Sequence, residues 1–355
     1  MTDRLPVILD VDTGIDDSLA LLYACASPEL EIVAVTCLAG NVGGRQVADN
    51  TRAVLELAGR PDIPVALGAE APLVKPLETT EETHGPLGIG HAELPAPARS
   101  LESNHAADLI VETVRRRPGE ITLVTLGPMT NLALALDREP RLPWLLRRWV
   151  FMGGAFAVPG NTTPTSEWNV QVDPDAAKAC LAAWAAALAG DPVADRSQAV
   201  LPLGMGLDVT ERARILPADV AALARRAGGN AQDALRLLDP ATPMRPVGSV
   251  AENAVLRFIV DALRFYFEFH ARADGFYGAF IHDPFVVAAA INPALVRSRP
   301  TFVDVEAGPG LAHGMTVADL RGSTGRAPNV EVAVEGDTDA FLAALIERVS
   351  RLAAR

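Results

Sequence analysis

The sequence contains few cysteines, few aromatic residues and almost no lysine. Its 355 residues include three cysteines, Cys25, Cys37 and Cys180, which lie far apart in apolar surroundings. This spacing does not fit a zinc site, so we expect buried thiols in a reducing compartment rather than disulfides. Lysine occurs only as Lys75 and Lys178, and arginine therefore carries almost all of the positive charge.

Positive charge and long apolar runs are also scarce. The formal net charge is −13, from 31 basic and 44 acidic residues, which argues against a nucleic-acid partner. No apolar run reaches the roughly 20 residues that span a bilayer, and the N-terminus does not resemble a signal peptide. We therefore expect a soluble, cytoplasmic protein with no membrane partner. The hydrophobic content of 49% supports a sizeable core.

Short apolar runs alternate with helical patterns along most of the chain. Residues 7–9, 31–37, 121–126 and 149–152 are typical of buried strands, and each run is followed by glycine or polar residues. The alternation predicts an α/β fold, an open and mostly parallel sheet flanked by helices with a Rossmann-like core. No internal repeat or clear linker interrupts it, so we expect one domain spanning residues 1–355.

Some segments carry a less regular pattern. Residues 190–197 are predicted to form a surface excursion, and residues 228–250 a loop-rich segment with several prolines. Residues 301–305 and 329–334 are predicted to form two antiparallel strands near the end of the chain.

Carboxylates cluster where the first strand meets the first helix. Asp10, Asp12, Asp16 and Asp17 follow one another within a single strand–loop–helix unit. Four carboxylates so close together repel one another unless a positive charge lies among them. A hard divalent cation, which prefers oxygen ligands, would supply that charge. Helix capping explains the last two aspartates but not the first two, so we favour a metal or catalytic site.

Polar residues also follow the later strands. Ligands of parallel α/β sheets bind at the carboxyl ends of the strands, so these residues are expected to converge on one crevice. They are Asp12, Asn41, Leu126, Met152, Asn161, Glu167 and Asn169. A long loop, residues 69–101, contains His84, which is either a functional histidine or a solvated loop residue. Asp283 directly precedes Pro284, and capping of that helix is the alternative to a functional role.

These motifs together resemble the signature of the inosine-uridine-preferring nucleoside hydrolases. In chain order they are residues 10–17 (Asp-Val-Asp-Thr-Gly-Ile-Asp-Asp), Gly40-Asn41, Met152-Gly153-Gly154, Glu167-Trp168-Asn169, His282-Asp283-Pro284 and residues 314–319. The resemblance implies hydrolysis of the N-glycosidic bond of ribonucleosides, which releases free base and ribose for salvage. It also implies a Ca²⁺ ion at the bottom of the crevice. We expect a homodimer or homotetramer.

The resemblance assigns the ion and the catalytic groups to particular residues. The Ca²⁺ ligands would be Asp12, Asp17, the backbone carbonyl of Leu126 and Asp283. The family usually has threonine at the position of Leu126, but only the backbone oxygen coordinates. Asp12 would also take the proton of the attacking water. His282 would protonate the departing base, since imidazole titrates near neutrality; a satisfied core histidine is the alternative.

The resemblance also implies the substrate contacts. Asp16, Asn41 and Asn169 would hold the 2′ and 3′ hydroxyls, Asn161 and Glu167 would reach the 3′ and 5′ side, and Met152 would lie beside them. The base-binding loops would lie near His84 and just before His282-Asp283, where this chain has Tyr266 and Tyr277. None of the four tryptophans, at positions 144, 149, 168 and 184, falls in those loops. We therefore expect a broad or pyrimidine-tolerant enzyme.

Two other functions fit part of the pattern. Asp10-Val-Asp12-Thr13 also opens the motif of haloacid-dehalogenase-type phosphatases, but neither lysine is followed by the metal-binding segment that such enzymes need. A nucleoside-binding protein without catalysis is the second alternative, which the presence of both Asp12 and His282 disfavours. Residues 186–200 and 226–252 are longer than in short family members, and we interpret them as insertions.

Overall fold

A central eight-stranded sheet organises the chain in the computed structural model, which describes residues 4–190, 199–243, 250 and 252–355. All neighbouring strands of this sheet are parallel except the last pair. In spatial order the strands are β3 (Val65–Leu67), β2 (Leu30–Cys37), β1 (Leu5–Val11), β4 (Thr122–Thr125), β5 (Arg148–Met152), β6 (Leu203–Met205), β12 (Val330–Gly336) and β9 (Val296–Thr301). The sequence-based prediction of an open, mostly parallel sheet is therefore confirmed.

Helices connect the strands and cover both faces of the sheet. Those of the first half are α1 (Ile15–Cys25), α2 (Gly44–Leu57), α3 (Glu81–His84), α4 (Ala106–Arg116), α5 (Thr130–Arg138), α6 (Leu142–Leu145), α7 (Trp168–Val172) and α8 (Pro174–Ala189). Those of the second half are α9 (Leu207–Thr210), α10 (Pro217–Arg226), α11 (Ala231–Leu238), α12 (Ala254–Ala273), α13 (His282–Ile291) and α14 (Thr338–Ala353). Two short two-stranded sheets complete the fold, β7 (Arg214–Ile215) with β8 (Ala279–Phe280), and β10 (Val303–Val305) with β11 (Thr316–Ala318).

The two faces of the sheet pack against separate cores. Successive side chains of a strand point to opposite faces, so Leu9 and Val11 pack in one core and Ile8 in the other. The first core includes side chains of α1, α2, α12, α13 and α14, and the second includes side chains of α4, α5 and α8. Burial on both faces explains why the parallel strands have continuous apolar sequences.

The carboxyl end of β1 opens directly into the acidic motif. Asp17 accepts a hydrogen bond from the backbone N–H of Gly14 at 2.9 Å, which helps to begin α1 immediately after the strand. After β2, which ends at Cys37, the chain reaches Gly40, where an added Cβ would lie 2.1 Å from Oδ2 of Asp12. Only glycine therefore lets the backbone after β2 pass so close to the Asp12 carboxylate.

Asp10 has a structural role within the sheet. Its Oδ1 accepts hydrogen bonds from Oγ1 of Thr36 at 2.6 Å and from Nδ2 of Asn131 at 2.8 Å. These bonds tie β1 to β2 and to α5. Burial raises the pKa of Asp10 to about 7.

The structure corrects several local predictions. Residues 228–250 contain a helix, α11. The side chain of Asn230 caps this helix by accepting a hydrogen bond from the backbone N–H of Gln232. The last antiparallel pair is β9 with β12, while residues 303–305 form β10 and pair with β11. Asp283 is not the helix cap, because α13 begins at His282 and Ile281 is its N-cap residue. Most of the predicted excursion at 190–197 lies outside the described residues.

Candidate active site

One large cavity opens at the carboxyl ends of the parallel strands. Its volume is about 440 Å³, within the range of about 300–1,000 Å³ that is typical of small-molecule sites. It brings together most of the residues singled out in the sequence, namely Asp12, Asp16, Asn41, His84, Leu126, Met152, Asn161, Glu167, Asn169, His282 and Asp283. Asp17 lies directly beneath this surface, within the same acidic cluster.

Three buried carboxylates form the floor of the cavity. Oxygen atoms of Asp16, Asp17 and Asp283 all lie within 4.8 Å of one another. Burial raises the pKa of Asp16 to about 7 and that of Asp17 to about 6, and it raises the pKa of Asp283 well above its usual range. Mutual repulsion adds to the effect for Asp16 and Asp283. Ionising all three carboxylates therefore requires a compensating positive charge.

Asp12 lies beside this floor but outside the tightest cluster. Its Oδ2 accepts a hydrogen bond from the backbone N–H of Asn41 at 2.9 Å. Burial, and then the charge of Asp17, raises the pKa of Asp12 well above its usual range. The sequence predicted Asp12, Asp17 and Asp283 as the carboxylate ligands. In the structure, the three carboxylates of the tightest cluster are those of Asp16, Asp17 and Asp283.

The donor atoms on this floor fit a hard divalent cation. Oδ1 of Asp17 is buried and has no hydrogen-bond partner, so it has a free lone pair. The carbonyl oxygen of Leu126, which lines the cavity, accepts one hydrogen bond from Nδ2 of Asn169 at 2.6 Å and has a second lone pair. Carboxylate and carbonyl oxygens are the ligands that Ca²⁺ prefers.

Two asparagine amides are held in place beside the carboxylates. Nδ2 of Asn41 donates to Oδ2 of Asp17 at 3.2 Å, and Nδ2 of Asn169 donates to the carbonyls of Leu126 and Met152. Because each amide nitrogen is directed at protein oxygens, the orientation of both side chains is fixed. Such pre-oriented groups suit the recognition of sugar hydroxyls.

Glu167 caps a helix as well as lining the cavity. Its carboxylate accepts hydrogen bonds from the backbone N–H groups of Asn169 at 2.9 Å, Gly154 at 2.9 Å and Val170 at 3.2 Å. These bonds begin α7 and hold the glycine turn after β5. The neighbouring Asn161 accepts a hydrogen bond from the backbone N–H of Trp168. These three bonds to the protein leave the Glu167 carboxylate fewer free lone pairs for contact with a substrate.

Two buried histidines of the cavity, His84 and His282, carry their proton on different ring nitrogens. Nδ1 of His84 accepts a hydrogen bond from the backbone N–H of Ile15 at 3.1 Å, so its proton resides on Nε2. Nδ1 of His282 lies 2.8 Å from Oγ1 of Thr210, whose own hydroxyl donates to the carbonyl of Gly206. His282 therefore donates through Nδ1 in its neutral form, and its Nε2 is an acceptor. Burial lowers the pKa of both imidazoles to about 3.

Helix α12 contributes one wall of the cavity and carries Tyr266, one of the two tyrosines expected near the base. Tyr266 lies 5.4 Å from His84 and 4.6 Å from His270 between ring centroids, and Phe269 also faces the cavity. Nδ1 of His270 lies 2.6 Å from a carboxylate oxygen of Asp274. The spacing of Tyr266, His270 and Asp274 by four residues places them along one helical face, and this spacing was the signal available in the sequence.

Tyr277 does not take the predicted place in the base site. It is not among the residues that line the cavity, and its hydroxyl donates to the carbonyl of Leu238 in α11. Its ring packs edge-on against Phe267 at 5.5 Å. Trp168, by contrast, lines the cavity from α7, beside Asn161.

Within the described part of the chain, no helix combines the length and apolarity needed to cross a membrane.

Comparison with known proteins places this chain in a family. The sequence profile described as "Inosine-uridine preferring nucleoside hydrolase" matches residues 7–343. The chain is 36% identical over 347 residues to the pyrimidine-specific ribonucleoside hydrolase RihA of Salmonella paratyphi B, covering 97% of this chain and 98% of the relative. It is 37% identical over 353 residues to RihA of an Enterobacter species, covering 99% of each. A purine-preferring ribonucleoside hydrolase from Gardnerella vaginalis superposes with a TM-score of 0.83 at 29% identity, covering 98% of this chain and 99% of that structure.

Proposed function

The chain belongs to the inosine-uridine preferring nucleoside hydrolase family and is a ribonucleoside N-glycosyl hydrolase, and on that basis we propose that it is Ca²⁺-dependent and prefers pyrimidine ribonucleosides. The acidic floor of the cavity supports the metal, and the pyrimidine-specific relatives support the base preference. Family membership argues against the phosphatase alternative, as does the burial of Asp10 within the sheet, away from the cavity lining.

The proposed Ca²⁺ ligands are Asp12, Asp17, Asp283 and the carbonyl of Leu126. The unpartnered Oδ1 of Asp17 and the crowding of Asp17 with Asp283 support this assignment. When bound, the ion supplies Lewis-acid chemistry, orienting sugar hydroxyls and acidifying water. We assign Asp16, which lies in the same cluster, to the ribose hydroxyls.

The residues around the ribose act on the charge that develops during cleavage. Breaking the N-glycosidic bond builds positive charge on the ribosyl ring, and nearby carboxylates stabilise that charge. Asp12 removes the proton of the attacking water as general base. Asn41 and Asn169 bind the 2′ and 3′ hydroxyls together with Asp16, while Asn161 and Glu167 contact the 3′ and 5′ side and Met152 packs beside them.

His282 is the proposed proton donor to the leaving base. Its Nδ1 is held by Thr210, which fixes the plane of the ring and leaves Nε2 for the substrate. Nε2 must carry a proton before it can act as an acid. His84, whose Nε2 carries a proton in the neutral ring, is the second candidate. Tyr277 is not a candidate for this role, because it lies outside the cavity lining.

We expect His282→Ala to lower turnover only when the leaving group needs a proton. Activity on uridine should fall by about 10² or more, within the usual range for a general acid. Activity on 4-nitrophenyl riboside should fall far less, since nitrophenolate departs as an anion. The measurement is kcat for both substrates with wild type and variant. Equal losses on both would assign His282 to orienting the sugar and would move the acid role to His84.

The base preference is tested by a nucleoside panel. We expect kcat/KM for uridine and cytidine to exceed that for inosine and adenosine by at least about tenfold, a difference of about 1.4 kcal/mol in transition-state binding. Release of ribose is measured for each substrate with the Ca²⁺-loaded enzyme. Equal values for purines and pyrimidines would contradict the preference, and no release from any ribonucleoside would contradict the assigned reaction.

Architecture and assembly complete the proposal. We propose one catalytic domain spanning residues 1–355, with insertions near 186–200 and 226–252, that assembles as a homodimer or homotetramer in the cytoplasm. Light scattering coupled to size-exclusion chromatography measures the assembly directly.

A further inference from the structure

The motif at residues 314–319 has no part in the chemistry proposed above. It contains β11, the second strand of the β10–β11 hairpin, which is separate from the central sheet. Thr316, the first residue of β11, is buried and pairs in register with Val305 of β10. Thr316 is not among the described residues that line the cavity. Any effect of its side chain on a bound substrate must therefore pass through another residue.

The hairpin is anchored to the body of the protein through β10. The buried side chain of Asn329, next to β12 of the central sheet, accepts a hydrogen bond from the N–H of Val303 at 2.7 Å and donates to its carbonyl at 2.9 Å. Nζ of Lys178, on α8, donates to the carbonyl of Val305 at 2.7 Å. Because β11 pairs with β10, these anchors also set the position of Thr316 relative to the central sheet.

The hydroxyl group of Thr316 bonds both polar backbone groups of one residue in the turn after β5. Its Oγ1 accepts a hydrogen bond from the N–H of Ala155 at 3.0 Å and donates one to the carbonyl of Ala155 at 2.8 Å. Buried backbone groups of this kind are costly to leave without partners. At the preceding Gly154, which has a φ of +88°, an added Cβ would lie 2.9 Å from Cγ2 of Thr316. The hairpin and the turn are therefore in close contact.

The same turn holds the carboxylate of Glu167. The N–H of Gly154 donates to Oε2 of Glu167 at 2.9 Å. Oε1 accepts a hydrogen bond from the N–H of Asn169 at 2.9 Å and keeps a second lone pair. Glu167 lines the cavity. A chain of bonds therefore runs from the hairpin, through the backbone of the turn, to a carboxylate that faces the substrate.

We propose that Thr316 is a positioning residue for the riboside: it fixes the turn after β5 so that Glu167 presents Oε1 to the 5′ hydroxyl of the ribose. The inference rests on the proposed function, which assigns Glu167 to the 3′ and 5′ side of the sugar. Hydrogen bonds between oxygen atoms form over a narrow range of about 2.5–3.0 Å, so a small shift of the turn is enough to lose this one.

The test measures whether Thr316 and the 5′ hydroxyl act together. Uridine and 5′-deoxyuridine differ only in this hydroxyl, and kcat/KM is measured for both with wild type and with Thr316→Val. Wild type should prefer uridine by at least about tenfold, the usual effect of one hydrogen bond to a charged group. Thr316→Val keeps the shape of the side chain without its hydroxyl. It should lower kcat/KM about tenfold for uridine and less than about twofold for 5′-deoxyuridine, because the two groups are coupled.

Two controls separate positioning from general damage. Thr316→Ser keeps the hydroxyl and should keep the preference for uridine over 5′-deoxyuridine. Thr301→Val is the matched control, because Thr301 is a buried threonine of β9 whose Oγ1 donates to the carbonyl of Arg299 at 3.0 Å. It is not among the described residues that line the cavity. This variant should leave the preference unchanged.

Thr316→Ala decides the question if Thr316→Val does not fold. The smaller side chain leaves room for a water molecule that can bond the backbone of Ala155. Asp208 still accepts hydrogen bonds from the N–H groups of Phe156 and Ala157, so we expect the turn to persist. A water molecule has no covalent link to the hairpin and cannot fix the turn in the same position. The preference for uridine should therefore fall in this variant as well.

The outcomes separate this inference from the function on which it rests. Equal losses on uridine and 5′-deoxyuridine would show that Thr316 acts on stability alone, and an unchanged preference in Thr316→Ala would also overturn its positioning role. No preference in wild type would overturn the contact between Glu167 and the 5′ hydroxyl, and with it this inference, but not the hydrolase activity. Failure of wild type to cleave any ribonucleoside would instead contradict the proposed function itself.

Discussion

Alanine at position 17 or at position 283 should abolish Ca²⁺ binding and hydrolase activity together. Each substitution removes one charged ligand from a floor where the carboxylates of Asp16, Asp17 and Asp283 lie within 4.8 Å. Metal affinity depends on the number of deprotonated ligands, so the loss of either should reduce bound Ca²⁺ from one equivalent to a trace. Metal analysis of the purified variants after desalting, together with kcat on uridine, measures both effects.

A matched control distinguishes ligand loss from damage to the fold. Asp261→Ala removes a buried carboxylate that pairs with Arg257 on α12, away from the floor. This variant should retain one equivalent of Ca²⁺. If Asp17→Ala and Asp283→Ala also retained a full equivalent, the proposed ligand set would be wrong.

The same floor predicts how metal affinity depends on pH. Without a cation, burial raises the pKa of Asp16 to about 7 and that of Asp17 to about 6. Protons therefore compete with Ca²⁺ below these values, and the affinity should fall as the pH is lowered from about 7 towards 5. Calorimetric titration at several pH values measures this dependence.

Asp12→Asn should lower kcat on uridine by about 10² to 10⁴, the usual contribution of a positioned general base. The amide cannot accept the proton of the attacking water, yet its oxygen can still accept the hydrogen bond that Asn41 donates to Oδ2 of Asp12. We therefore expect the fold and the thermal midpoint to be nearly unchanged. Stopped assays of ribose release and a thermal melt test the two halves of this prediction.

Metal analysis of the same variant separates the two roles proposed for Asp12. If Asp12→Asn retains Ca²⁺ and loses turnover, the loss reflects proton transfer; if Ca²⁺ is lost as well, part of the decrease reflects coordination. A variant with nearly normal kcat would move the role of base to Asp16, the next carboxylate on the floor.

Local sequence was sufficient to predict the parallel sheet and the aspartate cluster of the site. Apolar runs that alternate with helical patterns predict a parallel sheet, because strands buried on both faces need continuous apolar sequence. The aspartates between β1 and α1 are only a few residues apart, so their proximity follows from chain connectivity. Because ligands bind at the carboxyl ends of parallel strands, Asn41 and Asn169 were expected in the same crevice. The family resemblance added His282 and Asp283, and the structure brings all four together.

Tertiary structure decided the features that depend on long-range packing. Periodicity can indicate that a helix such as α12 has an apolar face, but it cannot distinguish a face against the core from one against a cavity. Tyr266 and His270 line the cavity. Tyr277, which the family resemblance placed near the base, instead donates its hydroxyl to a carbonyl of α11.

The chemistry of the two histidines also depends on contacts that local sequence does not encode. The ring of His84 is set by the backbone N–H of Ile15, and that of His282 by the hydroxyl of Thr210. The sequence alone therefore determined which residue types reach this end of the sheet. Their orientation, protonation and closest neighbours were decided by packing between segments distant in the chain, because hydrogen bonding and burial act between atoms that only the folded chain brings into contact.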